Sequence, residues 1–328
     1  MNKWEALFSR FGTVKALVVG DMMVDSYLFG KVDRISPEAP VPIVTVEKRD
    51  YRPGGAANVA LNLRALGAEV AIASIIGNDE QGDRLNELLL AEGIATDGLI
   101  RSAHRKTTVK HRIIGNNHHM LRVDDEDLHE LNLEERKDLL DWIELELEKY
   151  QVLIFEDYDK GLLNESLIQA IIFLAKSRGI VTVVDPKRNN FLAYRGATLF
   201  KPNLKEIIEG LKLDSNLKNE TELKHAVELV QSRLHCDIVM VTLSERGVLI
   251  SDRKHWERLP AHVRNISDVS GAGDTVVSVA ALCLALNAPL FEIAFLSNLA
   301  GGLVCEKVGV VPIEKAKLLE EAIKLSRD

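Results

Sequence analysis

Asp268-Val-Ser-Gly-Ala-Gly-Asp274-Thr275 runs directly into the apolar stretch 276–286. Small residues ahead of an apolar periodic run mark a helix N-terminus. The first amide N–H groups of such a helix lack partners, so an anion can approach the backbone of Gly271, Ala272 and Gly273 closely. A carboxylate at Asp274 repels phosphate and is a poor ligand for it. It suits another task, taking a proton from a hydroxyl that then attacks the phosphate. The same letters also fit an aspartate that only favours the positive end of the helix dipole.

Outward from this motif, short β-branched runs at 16–20, 70–76, 152–155, 180–185, 198–200 and 238–242 alternate with helical patterns. Those patterns fall at 57–66, 83–92, 134–150, 166–178 and 220–234. Such alternation predicts an α/β fold, a parallel sheet covered by helices on both faces with ligands at the carboxyl ends of its strands. Two stretches, 40–47 and 107–122, instead alternate apolar and polar residues with no helix between them, as half-exposed antiparallel strands do. They predict a small β lid, formed from about 27–52 and 105–124, inserted into a single domain spanning 1–328. The first twelve residues, MNKWEALFSRFG, read as a short amphipathic helix rather than a leader.

Composition narrows the class. The 328 residues carry 41 Lys plus Arg against 49 Asp plus Glu, a net charge of −8. That balance lacks the basic excess of a nucleic-acid or anionic-membrane binder. No run reaches the ~20 apolar residues of a membrane helix. The three cysteines, Cys236, Cys283 and Cys305, are far apart and include no C-x-x-C, which argues against a disulfide framework or zinc site and fits a reducing cytoplasm. Neighbouring His118 and His119 point to opposite faces of a strand and cannot share a metal.

Four further motifs carry chemistry. Pro53-Gly54-Gly55-Ala-Ala-Asn58 leads from the lid into a helix, with glycines that permit close approach and an amide able to bind sugar hydroxyls. It equally fits a plain helix start. Gly20-Asp21-x-x-x-Asp25 ends the first strand, where carboxylates face the ligand crevice, or serves as a turn and a helix cap. Lys201-Pro-Asn203-Leu-Lys-Glu206 is a capping box by spacing, or a pair of hard oxygen ligands beside a Mg²⁺–phosphate. Thr242-Leu-Ser244-Glu-Arg-Gly247 is a Gly-containing turn after a strand, either a hairpin or a nucleotide cover.

Together and in this order, the five motifs resemble the PfkB, or ribokinase-like, carbohydrate kinase family over essentially the whole chain. The resemblance implies a doubly wound α/β domain with a β lid that joins a homodimer. It implies Asp274 as catalytic base, with Gly271, Ala272 and Gly273 as the anion hole. Asn203 and Glu206 would organise Mg²⁺ and ATP, with further nucleotide contacts at Thr242, Ser244, Gly247 and Asn298. Asp268 would bind a monovalent cation such as K⁺.

Arg34-Ile-Ser-Pro-Glu-Ala-Pro-Val-Pro42, Arg52-Pro-Gly-Gly-Ala-Ala-Asn58, Asp157-Tyr-x-Lys160-Gly161 and Asp185-Pro-Lys187 are similar to the heptose 7-phosphate kinases of that family. Those kinases form half of bifunctional kinase/adenylyltransferases of lipopolysaccharide core synthesis. The chain departs from them at His118-His119, where they carry Gln-Gln, and at Arg188, where they carry Gly. It contains no H-x-G-H motif, so adenylyl transfer is not expected of it. The implied reaction moves the γ-phosphoryl of MgATP to the anomeric hydroxyl of D-glycero-D-manno-heptose 7-phosphate. Asp21, Asp25, Gly54, Gly55 and Asn58 would hold the sugar, and Lys110, Arg112, Lys160, Lys187 and Arg188 are candidates for gripping its phosphate. The alternatives are another PfkB kinase acting on an unphosphorylated sugar or nucleoside, and a non-catalytic sugar-binding regulator.

Overall fold

The computed structural model describes residues 2–326 except 215, 218 and 263. Its strands are β1 (Lys15–Gly20), β2 (Met22–Ile35), β3 (Pro42–Gly55), β4 (Glu69–Gly77), β5 (Ala95–Ser102), β6 (Val109–Gly115) and β7 (His118–Asp125). They continue with β8 (Val152–Glu156), β9 (Val181–Asp185), β10 (Leu199–Phe200), β11 (Ile238–Thr242), β12 (Val248–Ser251) and β13 (Trp256–Leu259). Among the described residues these form a nine-stranded sheet, β13-β12-β11-β10-β9-β8-β1-β4-β5, and a four-stranded sheet, β3-β2-β6-β7.

The large sheet is parallel from β11 to β5, with β12 and β13 added antiparallel at one edge. Its strands are apolar on both faces, because helices cover both. In β1, Ala16 and Val18 pack with the layer containing the helices Ala56–Leu66, Ala272–Ala285 and Leu290–Val304. Leu17 and Val19 pack with the opposite layer, built on Leu133–Glu146, Glu165–Ser177 and Glu220–Leu234. The chain winds outward from β1 in one direction to β4 and β5 and in the other from β8 to β11, so the direction of winding reverses between β1 and β8. The loops there splay apart and leave a crevice at the strands' carboxyl ends.

The fold is therefore the doubly wound α/β arrangement the sequence predicts, with the strand runs in place to within a residue or two. The lid differs in extent. Its first pair is Met22–Gly55 and its second Val109–Asp125, rather than about 27–52 and 105–124. Strand β2 begins one residue after β1 and pairs with β3 from Met22↔Gly55 to Ile35↔Pro42. Residues 22–25 are buried on both faces, so they show no alternation by which a lid strand could be read, and Asp21 and Asp25 look like a turn and a cap. The β6–β7 hairpin turns on Asn116 and Asn117, both in the left-handed region at φ 51° and 64°, which the twist of a two-residue hairpin requires. The N-terminal helix is present as Lys3–Arg10, closed by a capping box of Asn2 and Glu5.

Candidate active site

Asp274 lies in the first turn of the helix Ala272–Ala285. Gly271 precedes that helix at φ 77°, a conformation costly for any other residue, and a Cβ there would lie 2.9 Å from the Asn58 amide nitrogen. No side chain caps the helix; the Ala272 N–H donates to the Val269 carbonyl at 3.3 Å, and the absence of a side-chain cap is what an anion-binding helix end requires. The Asp274 carboxylate is buried and accepts on both oxygens, from Asn58 Nδ2 at 2.6 Å and from the Tyr158 hydroxyl at 3.0 Å. Burial pushes its pKa above the ordinary carboxylate value. The Asn58 donor opposes that rise and the nearby Asp185 adds to it.

Around it stand groups from the carboxyl ends of three strands. Glu156 ends β8 and Asp185 ends β9, while Lys201 follows β10. Lys201 and Asp185 form a buried ion pair at 3.0 Å. The Glu156, Asp185 and Asp274 carboxylates offer oxygens within 4.8 Å of one another. Both oxygens of Glu156 are buried without a hydrogen-bond partner, and burial with the Asp185 and Asp274 charges pushes its pKa well up. Three hard oxygen donors, one of them orphaned, fit a divalent cation such as Mg²⁺. Lys187 lies 3.4 Å from Glu206, and the pull of Asp185 and Glu206 outweighs burial to keep its ammonium charged.

Asn203 and Glu206 form the capping box their spacing predicts. Glu206 N–H donates to Asn203 Oδ1 at 2.9 Å, and Asn203 N–H donates to Glu206 Oε2 at 2.8 Å. That engagement leaves Oε1 for Lys187, so one side chain serves the helix and the site together. Backbone pairing sets Thr242 beside Asn203. Gly247 at φ 86° closes the turn after β11, where a Cβ would collide with the Leu259 carbonyl. Asn298 is not at the carboxylates. Its amide donates to the Pro260 carbonyl at 2.8 Å.

The lid supplies the other wall. Asp25 is buried and paired with Arg112, whose guanidinium stacks over Tyr27 at 5.3 Å. A Cβ on Gly54 would lie 2.5 Å from Asp25 Oδ2, so that glycine lets the pair pass, and Gly55 turns the chain into the next helix at φ 61°. Lys110 makes no ion pair among the described residues and lies 5.2 Å from the Tyr158 ring. Lys160 is paired with Glu126 at 2.8 Å, and Arg188 is exposed. Asp21 faces protein rather than crevice. It accepts from the N–H groups of Tyr158, Lys160 and Leu162 at 2.9–3.3 Å. Burial and the neighbouring Asp157 raise its carboxyl to about 6. Asp268 sits at the rim, where Ser270 and Gly309 donate to it. Burial raises its pKa, but these donors outweigh that and hold it below the ordinary value.

Tyr158, Asp185 and Lys201 stand in the motifs above without a role assigned to them, and Glu156 stands in none, although each lies at, or just beyond, the carboxyl end of a strand read correctly from the sequence. Their position immediately past an apolar run is the signal that could have found them.

A doubly wound sheet, an uncapped helix end with a buried aspartate, and a carboxylate cluster beneath a β lid define the class. A family profile described as pfkB family carbohydrate kinase matches residues 14–316, and the chain belongs to that family, the ATP-dependent sugar kinases. It is 43% identical over 306 residues to the bifunctional protein HldE of Methylobacillus flagellatus, covering 93% of this chain and 62% of that protein. With the bifunctional protein HldE of Geotalea uraniireducens it shares 38% identity over 318 residues, covering 97% and 64% respectively. The chain thus spans somewhat less than two thirds of the length of these relatives. Phosphofructokinase-2 from Escherichia coli in complex with potassium superposes with a TM-score of 0.81 at 20% identity, covering 96% of this chain and 100% of that one. Arabidopsis thaliana ribokinase complexed with ribose and ATP gives 0.71 at 14%, covering 94% and 99%. Among the described residues no helix is long and apolar enough to cross a membrane.

Proposed function

We propose that the chain transfers the γ-phosphoryl group of ATP to the anomeric hydroxyl of D-glycero-D-manno-heptose 7-phosphate, giving the 1,7-bisphosphate used in lipopolysaccharide core synthesis. The observation that carries this reading is the placement of Asp274, a buried carboxylate in the first turn of an uncapped helix, between its two donors Asn58 and Tyr158. It is supported by the identity to HldE proteins over nearly the whole chain.

In this reaction the sugar hydroxyl oxygen bonds to the γ-phosphorus as the bond to the ADP oxygen breaks, and its proton passes to Asp274. The N–H groups of the helix end at Gly271, Ala272 and Gly273 meet the charge that develops on the transferred group. Asn58 holds Asp274 and presents its amide to the sugar. Thr242, Ser244, Gly247 and Asn298 would contact the nucleotide. Glu156 and Asp185 would hold Mg²⁺, with Glu206 behind Lys187, and the ion when bound neutralises phosphate charge. Asp268 is proposed to hold a monovalent cation such as K⁺ at the rim.

Because Gln also serves at the third position of a capping box, Glu206→Gln should leave Tm within a degree or two, a few tenths of a kcal/mol. The same variant should need more Mg²⁺ and lose kcat. Unchanged kinetics would reduce Glu206 to a helix cap.

For the sugar phosphate, the structure favours Lys110 over Arg112 as the gripping cation, since Arg112 is already committed to Asp25. Burial lowers the Lys110 pKa, and a phosphate dianion beside it would oppose that shift. Lys110→Ala should weaken the phosphorylated sugar by roughly 1.5–3 kcal/mol, the range for a charged hydrogen bond, with the KM for ATP unchanged. Equal losses for sugars with and without phosphate would move the phosphate site elsewhere.

The lid's outer side exposes Ile35, Val41, Leu121 and Val123, an apolar surface that a second lid would cover. We expect a homodimer, seen as twice the chain mass by light scattering. A monomer at micromolar concentration would contradict it. Three buried, unpaired cysteines support a reducing, cytoplasmic setting.

A further inference from the structure

Both oxygens of the base accept hydrogen bonds from side chains of the protein. Of its two hydrogen-bond donors, Asn58 is fixed. It is buried inside the helix Ala56–Leu66, and its own Oδ1 and carbonyl lie within reach of the Asn62 amide at 3.4 and 2.9 Å. Tyr158 is held differently. Its N–H is anchored on Asp21, but it is only partly buried, and among the described residues its hydroxyl makes no hydrogen bond other than that to Asp274. Burial and the surrounding carboxylates push the phenol pKa well up, so it remains a protonated donor.

Two ammonium groups lie over the ring, Lys110 of the lid at 5.2 Å and Lys187 of the loop after β9 at 4.9 Å. Each contact is attractive, so the ring's position depends on where the two lysines are.

We propose that Tyr158 is a guard on the base: its hydroxyl covers Asp274 in the sugar-free enzyme, keeps the carboxylate from activating water, and gives way when the phosphorylated sugar draws Lys110 to itself. This rests on the kinase reading above and adds what that reading does not contain, a means of suppressing hydrolysis of ATP bound without sugar. The reaction guarded against is balanced in the same atoms. A water oxygen bonds to the γ-phosphorus, the bond to ADP breaks, and the water proton passes to Asp274 and on to solvent, giving ADP and inorganic phosphate. Tyr158 is a positioning residue here; it takes no proton and touches no phosphate.

The test is Tyr158→Phe, which keeps the ring and both cation contacts and removes only the hydroxyl. ATP hydrolysis without sugar should rise by about tenfold or more, a fraction of the 10²–10⁴ that a general base supplies, while kcat with sugar falls far less. Adding Asp274→Asn to this variant should abolish the gain. A merely structural role cannot produce a gain in hydrolysis. A second measurement needs no variant. A 1-deoxy analogue of heptose 7-phosphate, which engages Lys110 but offers no acceptor hydroxyl, should stimulate ATP hydrolysis by the wild-type enzyme.

Unchanged or reduced sugar-free hydrolysis in Tyr158→Phe, with wild-type sugar phosphorylation intact, overturns the guard alone. Where that variant fails to fold, absence of stimulation by the 1-deoxy analogue overturns it instead. A wild-type enzyme that phosphorylates no sugar overturns the kinase reading itself.

Discussion

Asp274→Asn is expected to lower kcat by about 10²–10⁴ while leaving fold and nucleotide binding intact. The side chain keeps its shape, and an amide oxygen can still accept from Asn58 or Tyr158, so the site should not collapse. The variant also removes one negative charge from a buried group of three carboxylates. Burial and Asp185 make the ionised form costly in the folded chain, so Tm should equal or exceed that of the wild type. Loss of activity with gain of stability separates a base from a structural aspartate, whose replacement would lower Tm. Turnover near the wild-type rate would remove Asp274 from the chemistry.

The second large effect is on stability. Lys201 and Asp185 are both almost wholly buried and bonded at 3.0 Å, beneath the cluster that includes Glu156. Lys201→Met keeps the length and apolar stem of the side chain but leaves the Asp185 charge unpaired beside another carboxylate. Breaking a buried pair in this way costs roughly 3–5 kcal/mol, measurable by urea unfolding. The double change Lys201→Met with Asp185→Asn removes the stranded charge and should recover most of that loss. A single variant as stable as the wild type would show that water or a conformational shift compensates Asp185.

How far the sequence could be read depended on whether the physical cause was local. Six strands of the large sheet were legible because burial on both faces needs unbroken apolar runs such as 16–20 and 152–155, whereas β5, β12 and β13 toward its edges were not read, β5 and β13 being partly exposed and lacking such runs. Asp274 and Gly271 were legible because the helix end that requires small residues is a feature of adjacent positions. The start of the lid was not, since residues 22–25 are buried by partners far along the chain. The same holds for the partners of the charged residues. Nothing near Arg112 in sequence shows that Asp25 claims it, and nothing near Asp21 shows that its carboxylate gathers N–H groups from 158–162. Those pairings arise only when β1, β2, β6 and β8 are brought side by side. Asn203 and Glu206 show the converse case, in which two readings of one motif hold together, because the capping box uses one carboxylate oxygen and leaves the other for Lys187.

The central claim, that a phosphorylated heptose is the acceptor, is tested most directly by ADP release with MgATP and each of heptose 7-phosphate, fructose 6-phosphate, ribose and adenosine. The account predicts turnover with heptose 7-phosphate, far above the other three and lost when its 7-phosphate is removed. Equal or faster turnover with ribose or adenosine would contradict it.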